Sequence, residues 1–155
     1  STAPVNKIWP AVSSVLDKAV AELVKMQKKE GYALFQFMNT KAKELKSELE
    51  QIKDIYKKVV RLKVESLKTD TEKSSFLKES DITEEIERLD FHIKNFKSKL
   101  VTDLSVGKEL DFIAQEMQRE SNTMGAKSCD VEISGLVVQL KSRIEKVREQ
   151  IQNIM

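Results

Sequence analysis

Between Gly107 and Asp130, GKELDFIAQEMQRESNTMGAKSCD, two carboxylates and two cations stand at spacings that could do chemistry. Glu116 and Glu120 are one helical turn apart, Arg119 lies between them and Lys127 follows two turns on. On a helix of 3.6 residues per turn, Glu116, Glu120, Thr123 and Lys127 share one flank, with Arg119 one step further round. Asp111, Gln115, Gln118 and Asn122 point the opposite way. Two carboxylates at i,i+4 repel, and the repulsion grows when they are partly desolvated, so a positive charge must compensate. That leaves two readings open. One is a salt-bridged rim in which Arg119 and Lys127 neutralise the acids. The other is a site for a hard metal ion or a phosphate, with Glu116 and Glu120 as ligands.

The element that must position these groups is a helix whose apolar stripe is Leu110, Ile113, Met117 and Met124, edged by Ala114 and Ser121. Gly107 opens it after a turn at 102–106. Gly125 to Ser128 close it, with Gly125 available as a left-handed cap. Asp130 then caps a last helix with the stripe Ile133, Val137, Leu140, Ile144, Val147, Ile151 and Ile154. That helix is expected to pack on the long N-terminal helix of its own chain, with a free coiled-coil dimer as the other arrangement.

These residues also carry a resemblance. LDFIAQEMQRESNTMGAKSCD followed by VVQLKSRIEKVREQIQNI, with DITEEIERLDFHIKNF upstream, resembles the C-terminal signature of the bacterial YicC/YloC family, and EGYAL at 30–34 and the Trp9 region match more weakly. The resemblance implies a metal-dependent endoribonuclease acting on single-stranded RNA, and a ring-like homo-oligomer. It implies catalytic roles for Glu116, Arg119 and Glu120, with His92 as a proton-transfer partner. Mn²⁺ or Mg²⁺ would be held by Glu116 and Glu120, and RNA would be contacted by Asn122, Lys127 and Ser128. Family members are about twice as long and begin with a β-containing half, so the chain is expected to be a fragment. The turn LSVGKEL lacks the family's usual Gly-Pro and paired arginines.

Upstream, a helix can start near Pro10, whose fixed φ suits a first turn. Trp9, Val12, Leu16, Ala19, Leu23 and Met26 form one face, and Phe35, Met38, Ala42, Leu45, Leu49, Ile52, Tyr56 and Val59 form a heptad series. Residues up to 66 are therefore expected as one long helix, or two nearly collinear helices meeting at Gly31. Residues 67–80, LKTDTEKSSFLKES, lose the period and read as a loop with the composition of a disordered segment. Asp81 with Glu84 resembles a capping box. It would start a helix to about Val101 with the stripe Ile82, Ile86, Leu89, Ile93, Phe96 and Leu100. His92 sits at the stripe's edge, one turn after Arg88, and fits either a packing histidine or a general acid or base. Phe91 lies off the stripe, a candidate for a second surface. The three C-terminal helices, 81–155, complete a single domain. The fold class is all-α, with long antiparallel helices in an elongated, coiled-coil-like bundle.

Composition sets limits. The 155 residues are 34% charged with a net charge of +2, which gives no general electrostatic footprint for nucleic acid. One cysteine, Cys129, and one histidine exclude an internal disulfide and a single-chain His/Cys zinc set. No apolar run approaches the ~18 residues of a membrane span, and a reducing cytoplasm fits. Neither a membrane nor DNA is expected as a partner. Nucleotide-binding loops and nucleophile elbows are absent. Metal-assisted phosphodiester cleavage is the chemistry that carboxylates, Arg and Lys suit best, and Glu84 or Glu85 could complete a site if the two helices pack side by side. The competing reading is a non-catalytic helical adaptor that assists RNA degradation.

Overall fold

The computed structural model describes residues 4–102 and 106–155. They form five helices: α1 Val5–Ser66, α2 Asp70–Ser80, α3 Thr83–Thr102, α4 Gly107–Lys127 and α5 Val131–Ile154. No strand occurs among the described residues, so the chain is all-α as its periodicity predicts. It divides within α1 into two units, Ser1–Gln36 and Phe37–Met155.

In the first unit α1 begins at Val5, five residues before Pro10, and runs through Gly31 without a break. The stripe from Trp9 to Met26 is present but exposed at Trp9, Leu16, Leu23 and Met26.

In the second unit the four predicted stripes become one core. Met38, Ala42, Leu45, Leu49 and Ile52 of α1 are buried with Ile82 and the α3 stripe, the α4 stripe, and Ile133 to Ile151 of α5. Each of these four helices, α1, α3, α4 and α5, turns a three-four repeat of apolar residues inward, because only that periodicity keeps one face of an α-helix continuously dry. The ion pairs fix directions. Lys99 meets Glu109 at 2.8 Å and Lys127 meets Glu85 at 2.6 Å, so α3 and α4 are antiparallel. At the other side of α4, Arg148 reaches Asp111 at 3.4 Å, while a Cβ on Gly107 would come within 3.1 Å of the Met155 side chain. α5 therefore runs back along α4. α1 is tied to α3 by Lys46–Asp90 at 2.5 Å and to the turn before α3 by the Tyr56 hydroxyl donating to Asp81 at 3.2 Å. It is tied to α5 by Arg143, which bonds Glu44 and Glu48. α1 and α4 thus face each other across α3 and α5 in an antiparallel four-helix arrangement, and α5 packs on its own chain's long helix.

Three local expectations are corrected. Residues 70–80 are helical where a loop was expected. Thr69 accepts from the Glu72 amide at 3.2 Å and the Glu72 carboxylate accepts from the Thr69 amide at 3.1 Å, a complete capping box. This local signal outweighs the missing apolar period. Asp81 and Glu84 do not form a second box. Asp81 instead accepts from the Thr83 amide at 2.9 Å, the hydrogen bond from the Thr83 side chain and then that from its amide lower its pKa, and Glu84 pairs with Arg88. Gly125 is not a left-handed cap, since no described glycine has positive φ and α4 continues to Lys127 before Ser128 turns extended. The predicted turn at 102–106 falls mostly on residues outside those described.

Thr69→Ala is expected to destabilise α2 by about 1 kcal/mol. Amide exchange should accelerate at residues 70–80 while the α4 and α5 amides stay protected.

Candidate functional site on the α3–α4 seam

The antiparallel packing of α3 on α4 brings together groups far apart in sequence, Lys127 and Glu85 across 42 positions. Arg88 stands opposite Glu120, with Nη1 3.7 Å from the carboxylate, and also pairs with Glu84 on its own helix. Glu120 is 9% exposed at its side chain and Arg88 56%. Towards the C-terminal end of α4, Lys127 Nζ donates to Glu85 Oε1 at 2.6 Å and to the Asp81 carbonyl at 3.3 Å. Glu85 is 6% exposed, and its second oxygen, Oε2, is buried with no hydrogen-bond partner among the described residues. The hydrogen bond to Glu85 raises the Lys127 pKa, so this ammonium stays charged at every physiological pH.

Glu116 is half-buried and lies 3.6 Å from the exposed guanidinium of Arg119. Because Arg88 faces Glu120 and Lys99 faces Glu109, the register places His92 level with Glu116, although the two make no ion pair. His92 is half-buried, and its ring meets Phe91 edge-on with centroids 5.5 Å apart. The seam thus has a floor of shielded carboxylates, Glu85, Glu116 and Glu120, beneath a more exposed rim of Arg88, Arg119 and Lys127.

Of the residues expected at a site, the packing gathers Glu116, Arg119, Glu120, His92 and Lys127. Asn122 is exposed on the other side of α4. Ser128 lies in the turn before α5, where its hydroxyl donates to the Asp130 carbonyl at 3.0 Å and accepts from Ser134 at 2.9 Å. Asp130 caps α5 as expected, accepting from the Ile133 amide at 3.0 Å. Arg88 was not expected at the site. Its place one turn before His92, on the same flank, was the available signal.

No cluster of three or more His, Cys, Asp or Glu side chains among the described residues is placed to hold a metal ion. Glu116 and Glu120 fit only the mode in which one or two carboxylates share Mg²⁺ or Mn²⁺ with water and substrate phosphates.

Residues 35–155 match the sequence model of a family described as "Endoribonuclease YicC-like, C-terminal". The chain belongs to the YicC-like family. Every seam residue named above lies within the matched stretch. The chain is 35% identical over 164 residues to a "Probable endoribonuclease YicC" of Clostridioides difficile (strain 630), an alignment covering 95% of this chain and 56% of that protein. A protein of the same description from Haemophilus influenzae is 46% identical over 74 residues, covering 48% of this chain and 26% of that protein. The chain thus spans about half the length of the first YicC relative and corresponds to its family's C-terminal region. No helix among the described residues is long and apolar enough to cross a membrane.

Proposed function

We propose that this chain is the helical part of a metal-dependent endoribonuclease that cleaves single-stranded RNA at the α3–α4 seam. The observation that carries the reading is the layered charge there. Glu120 is nearly buried, yet among the described residues its counter-charge is Arg88 at 3.7 Å, too long for a hydrogen bond. A shielded carboxylate left without a close donor is suited to receive a cation or a proton from something that binds.

Glu116 and Glu120 would hold Mg²⁺ or Mn²⁺, which when bound acidifies water and offsets phosphate charge. Arg88 and Arg119 bind the phosphodiester: guanidinium forks match phosphate oxygens, and the seam carboxylates they face, Glu120 at 3.7 Å and Glu116 at 3.6 Å, are distant enough to be exchanged while Arg88 keeps Glu84. Lys127, fixed by two acceptors, keeps a third N–H for a neighbouring phosphate. Water adds to phosphorus and releases a proton to the solvent, the phosphorus–oxygen bond to the leaving ribose breaks, and His92 gives that oxygen a proton, which it regains from the solvent. Action in the cytoplasm, and as a homo-oligomer whose long helices embrace the RNA, belongs to the same reading.

The test is cleavage of an end-labelled single-stranded RNA with and without Mn²⁺ or Mg²⁺, by the protein and its Glu116→Ala and Glu120→Ala variants. Metal-dependent cleavage lost in both supports the reading. RNA left intact under every condition would return the chain to the role of a helical scaffold.

A further inference from the structure

Two aromatic side chains flank the seam without contributing to the core. Phe91 on α3 is 63% exposed and Phe112 on α4 is 62% exposed. A single exposed phenylalanine is ordinary on a protein surface, but each of these two lies on a stripe of the same spacing beside the seam, one on each helix. On α3 the stripe Glu84, Arg88, Phe91, Asn95 recurs at i, i+4, i+7, i+11. On α4 the stripe Phe112, Glu116, Arg119, Thr123 has the same spacing. Each ring therefore shares its stripe with an exposed arginine. By the antiparallel register, Phe112 lies level with Phe96 and Phe91 with Met117, so the rings are offset by about 7.5 Å along the helices, on either side of the His92–Glu116 level.

Rings with one exposed face, cations on the same stripes and carboxylates sunk beneath them match single-stranded nucleic acid, whose bases offer apolar π-faces and whose backbone is anionic. A protein partner with an apolar patch would be served less well, because Arg88 and Arg119 would have to be desolvated between the rings. We infer that Phe91 and Phe112 are base-stacking platforms of a single-strand RNA subsite on the α3–α4 seam, holding one base on each side of the bond to be cut. This rests on RNA being the substrate of the same seam.

The test is fluorescence anisotropy of a labelled single-stranded oligoribonucleotide, without divalent metal, binding to the protein and to Phe91→Ala, Phe112→Ala and the double variant. A second oligonucleotide has the same backbone with abasic positions. Each alanine should raise Kd on the normal RNA by about five- to a hundredfold, the range that stacking of one base supports. On the abasic strand the variants should match the parent protein. Phe91→Trp and Phe112→Tyr should restore affinity, and the slope of log Kd against log salt should be unchanged because phosphate contacts remain.

Alanine variants that bind normal RNA like the parent protein would overturn the assignment, as would equal losses on both strands, or a change in oligomeric mass without a change in RNA affinity. If the parent protein binds RNA in this ring-dependent way but never cleaves it with metal, the subsite stands and the nuclease reading falls. Cleavage that is indifferent to both rings gives the reverse, and no RNA binding at all removes both.

Discussion

Glu120→Ala is expected to lower kcat on single-stranded RNA by about 10²- to 10⁴-fold, the range for a lost catalytic carboxylate, while the protein keeps its helical circular dichroism. The two effects separate because of how Glu120 is held. Its nearest charge, Arg88 at 3.7 Å, is more than half exposed, so solvent screens the pair and its loss costs at most about 1 kcal/mol. Removing a shielded carboxylate with no close donor also relieves a desolvation cost, and alanine is the better helix former. Net stability should therefore shift little. Glu120→Gln keeps the shape and removes the charge, and it should be nearly as inactive. Cleavage retained in either variant takes Glu120 out of the mechanism. Activity and Tm falling together would make it a structural residue.

Arg143→Ala is expected to cost about 3 kcal/mol, and to lower Tm by roughly 6–12 °C for a chain of this size. Arg143 is the tie between α5 and α1. Its Nε and Nη2 donate to Glu48 Oε1 at 3.1 and 2.5 Å, and Nη1 donates to Glu44. Glu48 is buried, and its Oε2 already lacks a hydrogen-bond partner among the described residues. Removing the guanidinium leaves a shielded carboxylate with no donor at either oxygen, which costs far more than the intact pair contributes. Arg143→Met combined with Glu48→Met should recover most of the loss, since an apolar pair of similar volume avoids both desolvation terms. Thermal unfolding of the two single variants and the double variant would decide it. If the singles simply add, the residues do not interact.

The same cluster has a pH dependence. The Glu44 carboxyl is held below its ordinary value near 4.5, first by the hydrogen bond from Lys41 and, against desolvation, by Arg143. A lowered carboxyl contributes stability above that ordinary value and loses it as pH falls through the lowered one. The α1–α5 tie should therefore loosen on acidification below about pH 4.5.

How legible these features were depends on whether their cause is local. The stripes of α3, α4 and α5 recur every three or four residues, so burial of one continuous face specifies both the helix and its inward side. Ile133 through Ile151 are buried as the spacing predicts. Asp130 was readable as a cap because a short acceptor followed by an apolar run is a local signal. The cause of helix α2 is equally local, but it is a capping box and not an apolar period. Its Thr69-x-x-Glu72 signature was present all along. Gly125 misled because a glycine near a helix end suggests a left-handed turn, whereas here it lies within α4, close to Val137 of α5.

The sequence by itself determined that the chain is helical, which face of each C-terminal helix is dry, and that Glu116, Glu120 and Lys127 share a flank, because a 3.6-residue period fixes all three. Its motifs carried the family resemblance that the match over residues 35–155 then showed. Tertiary structure alone decided which helices are neighbours and in what register. That register put Arg88 against Glu120, Glu85 under Lys127 and His92 level with Glu116, and gave Glu48 to Arg143 across 95 positions. Such partnerships depend on how side-chain ridges on two separate helices interlock, and no periodicity within one helix encodes that.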